Sequence, residues 1–364
     1  MVASVKVVCL IQVASTKSNT AGASRVSRLA GQLEKRMIDD VQLAPPFNIT
    51  RASHVVLTVS DIERSKEFYC DVVGLIESDR EMTTIYLRGL EESCHHSLVL
   101  KQSADQTCER VGFRVLTDED LDKAKVYFDL AGISSNYVDL PYQGKTLHFS
   151  DPIGTPIELC ASMPIVERQM HSYSRYIGGA AQRLDHYQIV ADDVHRAYKF
   201  YNALGFRPTE YVSHQESMWG IWMQRKGNTH DLVFTNGQGP RLHHFAYTIR
   251  DAHDIIHLFD VAGSLGYGQK IERGPGRHGM GGGALFAYLR DPDGHRIELF
   301  NTHYQAIDLE PPAHWELHDP KRTDLWGMPA VEKWFFEASK FRDVSVNEPT
   351  IKVRPRTLQD VLAL

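Results

Sequence analysis

Apolar and polar residues alternate over 54–59, and apolar positions then recur at helical spacing as Ile62, Ser65, Phe68, Tyr69 and Val72. Period two reads as a half-buried strand and period 3.6 as an amphipathic helix. Asp61 stands where an N-cap side chain accepts orphan amides, and Gly74 where a helix ends in the left-handed region. The same succession returns at 186–191, followed by cap Asp193, then Val194, Ala197, Tyr198, Tyr201 and Leu204, and a stop at Gly205. Two further units begin at Val111-Gly112-Phe113 and at His243-His244-Phe245. Their helices are predicted over 121–130, ending at Gly132, and over 255–265. Each of the four units reads as strand, helix, then more strands, and the second and fourth end on strands carrying Glu158 and Glu298.

A helix covers one face of such a unit and leaves the other face of its sheet bare. Two units pair by curling their bare faces around a shared cavity. The expected class is α+β: two domains, each of two paired βαβββ units forming an open curled sheet around a cavity. Residues 1–47 form an N-terminal tail, 48–171 the first domain, 172–305 the second and 306–364 a wrapping extension. The Ser-, Tyr- and Gly-rich stretch 172–181 is the connection. On the strand at 186–191, His186, Gln188 and Val190 share the face placed inside the cavity.

A length of 364 residues suits two cores rather than one. Net charge is −6, which argues against nucleic acid or an anionic membrane as partner. No apolar run is long enough to span a bilayer. The cysteines number five, with no CxxC spacing, and suit the reducing cytoplasm. Residues 1–36 hold one acid, Glu34, against six Lys and Arg. They read as a targeting segment, a disordered tail or a start called ahead of Met37.

The chemistry concentrates in the later half: Arg-Leu-Asp-His186, Leu-His-His244 and Asp-Pro-Asp-Gly-His-Arg-Ile-Glu298. Two imidazoles and a carboxylate leave open positions on a non-haem Fe(II), the ligand set of oxygen-using enzymes. Mn(II) is compatible with the same donors, whereas Zn(II) prefers closed or thiolate-rich sites. The first half carries a partial copy, His54 and Asp151-Pro-Ile-Gly-Thr-Pro-Ile-Glu158. His186 and His244 stand 58 residues apart, and at that interval from His54 stands Gly112, so the copy reads as one that has lost its middle ligand. Adjacent strand residues face opposite ways, so His243 is the alternative to His244, favoured less by the repeat. Tyr288 lies an even ten positions before Glu298 and shares its face.

Arg183-Leu-Asp-His186, Gly239-Pro-Arg-Leu-His-His244, Ile271-Glu-Arg-Gly-Pro-Gly-Arg-His-Gly279 and Tyr288-Leu-Arg-Asp-Pro-Asp-Gly-His-Arg-Ile-Glu298 together resemble the vicinal-oxygen-chelate superfamily. Within it the chain is similar to the type I extradiol catechol dioxygenases, and most so to the homoprotocatechuate (3,4-dihydroxyphenylacetate) 2,3-dioxygenases, over about residues 48–330. The resemblance implies Fe(II), or Mn(II), with O2 as co-substrate, a small aromatic diol opened to a hydroxymuconic semialdehyde, and a homo-oligomer, dimer or tetramer. It assigns His186, His244 and Glu298 to the metal, His230 to acid–base work and Tyr288 to a substrate oxygen. Arg273 and His278, in a Gly-rich loop, match residues that meet a substrate's carboxylate arm. Arg322 matches the first of two family arginines, and Thr323 stands where the second is expected. Trp222, Gln188 (for the family's Asn) and His243 complete the substrate-contacting set. A C-terminal lid found in relatives is expected to be short or missing.

Two rival readings stand beside it. An isomerase or lyase of the glyoxalase or epimerase kind calls for a second carboxylate or base from facing units. A non-catalytic binding protein calls for no metal triad. Cys94-His95-His96 reads as the start of a strand, with no second ligand pair at a suitable spacing.

Overall fold

The computed structural model describes residues 37–363; the basic stretch 1–36 lies outside the described residues. Two mixed sheets carry the chain. The first holds β1 (Ile49–Val59), β2 (Ile76–Glu81), β3 (Thr84–Arg88), β4 (Leu98–Gln102), β5 (Cys108–Val115), β6 (Ser135–Leu140), β7 (Gly144–Ser150) and β8 (Pro156–Cys160). The second holds β9 (Arg183–Ala191), β10 (Arg207–His214), β11 (Ser217–Gln224), β12 (Leu232–Asn236), β13 (Arg241–Thr248), β14 (Ile271–His278), β15 (Leu285–Arg290) and β16 (Arg296–Phe300). Three short strands follow: β17 (Ala313–Glu316), β18 (Asp324–Trp326) and β19 (Ser339–Lys340).

Their orders are β2-β3-β4-β1-β5-β8-β7-β6 and β17-β10-β11-β12-β9-β13-β16-β15-β14-β18. Each sheet is two units joined along their first strands, antiparallel at β1/β5 and at β9/β13. Four crossover helices complete the βαβββ pattern: α1 (Ile62–Glu67), α2 (Asp118–Leu130), α3 (Val194–Ala203) and α4 (Ala252–Ser264). α1 is shorter than its periodicity predicts, because the turn Phe68–Val72 continues as π-helix. Asp61 and Asp193 accept backbone amides at the starts of α1 and α3. Gly74 and Gly205 end those helical runs at φ of 85°.

The chain beyond 305 adds strands to the second sheet instead of forming a core of its own. β17 pairs with β10 and β18 with β14, covering both sheet edges, while β19 pairs with β13. Such edges otherwise expose unpaired N–H and C=O groups. Arg296 is the anchor for this extension. Fully buried, it donates to Glu272 and to the carbonyls of His243, Trp334 and Glu337.

One sequence reading is corrected here. Residues 271–278 form strand β14, not a loop. The glycines serve close packing: a Cβ on Gly276 would stand 2.5 Å from the Phe286 ring, and Gly274 takes φ of 108° at a shift in register with β15.

Candidate metal centre

A single lateral row across five strands builds the site. His186 on β9 pairs with Ala246 on β13, Ala246 with Glu298 on β16, Glu298 with Tyr288 on β15, and Tyr288 with Arg273 on β14. Residues in register across a sheet point to the same face, so these side chains enter one cavity. Ala246 is the small member, and the space above its methyl group lies between an imidazole and a carboxylate. His244, two residues before Ala246, reaches the same space, and the strand shifts register between Leu242 and His244.

The donor atoms converge. His186 Nε2 and His244 Nε2 lie 3.3 and 3.1 Å from Glu298 Oε2 and 3.4 Å from each other. Nitrogen and oxygen donors about 2.1 Å from one ion, in adjacent positions, stand roughly 3 Å apart. All three residues are buried.

Neighbouring groups settle which nitrogens are free. Asp185 Oδ2 lies 3.0 Å from His186 Nδ1, which must carry the proton, leaving Nε2 bare. Asp185 is itself held by Asn228 at 2.9 Å and by Lys226. Burial alone would raise its pKa, but Lys226 and His186 hold it well below the usual carboxylate range. His243 Nε2 donates to the Trp334 carbonyl at 2.9 Å, so its Nδ1 accepts from His244 Nδ1 at 2.8 Å. His244 Nε2 is therefore also a bare lone pair. His243 faces the extension, and its work is to orient His244. Burial pushes His244 down to about 4. Neutral imidazoles and an ionised carboxylate are the forms that bind a cation.

A cleft opens on these donors and is lined also by Gln188, Trp222, His230, Arg273, Tyr288 and Arg322. Gln188 donates to Thr235 at 2.9 Å. His230 Nδ1 lies 2.6 Å from the Thr229 hydroxyl, and its ring centroid is 4.1 Å from that of His186. Burial, then His186 and His303, press its pKa well below the ordinary histidine value. His278 Nδ1 donates to the Thr323 carbonyl at 3.0 Å, so its Nε2 accepts from the Tyr288 hydroxyl at 3.0 Å. Arg322 lies buried with Nε on the Leu317 carbonyl.

Several cleft residues carried no legible signal in the chain. Trp334 and Phe335 come from the extension, and Trp219 and Met280 stand outside the motifs. His303 stacks on Phe300 at 4.2 Å and stands 4.5 Å from His230. With His186 and His230 it forms a second histidine group, whose only feature in the sequence is its position five residues past Glu298.

The first sheet has the same row in closed form. His54 pairs with Gly112, Gly112 with Glu158, and Glu158 with His148. This register corrects the interval count: Gly112 is the counterpart of Ala246, so Arg110 stands where His244 does. The connecting segments differ by two residues, which an equal interval hides. His54 Nε2 contacts Glu158 directly, and a Cβ on Gly112 would fall 2.2 Å from His54 Cε1. His148 and Gln143 reach the same carboxylate at 2.9 and 3.2 Å, and His96 donates to Gln143 at 3.0 Å. Cys94-His95-His96 thus precedes β4 and packs on the closed copy.

The profile of the Glyoxalase/Bleomycin resistance protein/Dioxygenase superfamily matches residues 51–159 and 183–299. The chain is 30% identical over 305 residues to a manganese-dependent 2,3-dihydroxybiphenyl 1,2-dioxygenase of Geobacillus genomosp. 3, covering 78% of this chain and 95% of that one. It is 25% identical over 323 residues to a metapyrocatechase of Geobacillus stearothermophilus, covering 84% and 98%. Among solved structures, a homoprotocatechuate 2,3-dioxygenase variant from B. fuscum superposes with a TM-score of 0.81 at 39% identity, covering 85% of this chain and 89% of that one. The homoprotocatechuate 2,3-dioxygenase of Arthrobacter globiformis gives 0.79 at 37%, covering 83% and 95%. With matching profile, relatives and fold, the chain belongs to this superfamily, among its extradiol ring-cleaving dioxygenases.

Proposed function

We propose that His186, His244 and Glu298 hold Fe(II) or Mn(II), and that the cleft above them binds a catechol whose ring is opened beside the diol by O2. The convergence of three bare donor atoms within 3.4 Å of one another supports this most directly. The bound ion supplies open coordination positions and a path for electrons between diol and O2. The chain's residues do the rest. With Nδ1 turned to Thr229, His230 has Nε2 for a proton, and burial keeps the ring neutral and ready to accept one from a catechol hydroxyl. Tyr288 holds a substrate oxygen, its own hydroxyl fixed by His278. Trp222 walls the ring, and Gln188 lines the same cleft. Product is a hydroxymuconic semialdehyde.

Among the described residues no helix is long and apolar enough to cross a membrane. We place the enzyme in the cytoplasm as a homo-oligomer. Four unpaired cysteines among the described residues support the first, and exposed Leu325 and Trp326 on edge strand β18, with Met328 just beyond it, the second.

The test is reconstitution with Fe(II) or Mn(II) under argon, then a catechol panel followed by oxygen uptake and a yellow ring-opened product. Chelation should abolish both signals and re-addition restore them. No oxygen uptake with any vicinal diol, metal content being confirmed, rejects the reading.

A further inference from the structure

The metal cleft continues beyond its ligands. Two residues along β9 from His186, Gln188 faces the same cavity. Its partner in register on β12 is Val233, and Thr235, two residues on, shares that face. Gln188 donates to the Thr235 hydroxyl at 2.9 Å, so the two polar side chains at this point satisfy each other. Together with Trp219 and Phe335 they also line a second groove. Cleft and groove therefore share four walls.

The other side of the groove is a strap of the extension, residues 347–355. Asn347 exchanges two backbone hydrogen bonds with Gly239, at 3.1 and 2.7 Å. Asn236 donates to the Ile351 carbonyl at 2.7 Å, and Trp219 Nε1 to the Val353 carbonyl at 3.2 Å. Along the strap Ile351 and Val353 are half-buried and pack on the cluster that holds Trp219, while Lys352 and Arg354 are exposed. That alternation turns an apolar side inward. Of the charged groups on the groove, Glu348 is paired with Gln238 and Arg354 with Asp360. Phe336 lines the groove and is nevertheless 45% exposed. An apolar trough with few polar groups, opening beside a site that holds the reacting end of a small molecule, suits the remainder of that molecule. Its character is opposite to that of the Arg273, His278 and Arg322 side of the cleft. Building on the ring-cleaving reading above, we propose that the groove seats an apolar arm of the catechol, an alkyl or aryl chain that passes Gln188 and Trp219 and lies against Ile351, Val353 and Phe336.

Two chain-length series decide it in the metal-loaded enzyme, the methyl, butyl and hexyl catechols substituted at ring position 3 or at position 4. In the series whose arm points to the groove, kcat/KM should rise about twofold per added methylene, half the free energy of full burial because one side of the groove is open to water. Hexyl should then exceed methyl by about 30-fold. Ile351→Trp fills the groove and should cut that advantage to about threefold or less. If Ile351→Trp does not fold, Phe336→Ala, at an exposed position, takes its place and should lower the advantage by about threefold. A second readout does not need ring cleavage. Calorimetric titration of the same catechols under argon should show the hexyl compound binding more tightly than the methyl one, and the variant should lose that difference in the same proportion. A flat response in both series, or an advantage that the substitution leaves intact, overturns the proposal. If no diol is cleaved, the ring-cleaving reading fails, while the binding series still judges the groove.

Discussion

At the scale of single residues, the site depends on which nitrogen of each histidine carries the proton. Asp185 and His243 each fix one ligand ring so that Nε2 is bare. His230 is different: its Nδ1 meets only the Thr229 hydroxyl, and it lies in the cleft beside the ligands without being needed to complete the carboxylate-bearing triad. We therefore expect His230→Ala to keep its metal, measured by elemental analysis, while kcat for catechol falls by about 10²–10⁴-fold, the usual worth of a placed acid–base group. Loss of metal together with activity would instead assign His230 to the ligand set. His186, His244 and Glu298 were legible in the chain because each sits in a dense local motif. His303 and Trp334 were not, since nothing in their local sequence marks them and long-range folding alone brings them to the cleft.

At the scale of elements, the two sheets show one row of strand positions in two states. In the second sheet Ala246 leaves room between His186 and Glu298, which stay 3.3 Å apart. In the first, Gly112 lets His54 close onto Glu158. The methyl group that the open row accommodates is what the closed row excludes. Gly112→Ala should accordingly destabilise the protein by about 1–3 kcal/mol, the range for overpacking a core, read as a lower urea midpoint with unchanged slope. Unchanged stability would show that His54 moves aside without cost. The helices, caps and first strands of each unit were readable from periodicity. The register between units was not, because a hydrophobic pattern sets which face a residue takes but not which residue lies opposite.

At the scale of the molecule, the extension is tied to the second sheet by the ion cluster of Glu272, Arg290 and Arg296. Arg296 reaches the Trp334 and Glu337 carbonyls from there. Burial would raise the Glu272 pKa, but Arg296 and then Arg290 bring it down to about 2. Its folded value lies below its unfolded one, so its stabilisation is complete above about pH 4.5 and is lost as pH falls toward 2. The shift corresponds to about 3 kcal/mol. Glu272→Gln should lose about that much at pH 7 in denaturant titration, and the gap between variant and wild type should close through the acid range. A gap independent of pH would mean that shape, not charge, holds the extension. By itself the chain determined the fourfold unit, the α+β class and the extradiol dioxygenase chemistry, and it pointed to the three donors proposed for the metal, because those follow from periodicity and from ligand types in local motifs. Only the tertiary structure decided that β14 is a strand, that Arg110 and not Gly112 answers to His244, and that Arg273 already has an anion beside it, Asp324. Each of these depends on which strands lie side by side and which side chains meet across them, and distances between residues far apart in sequence are set by packing.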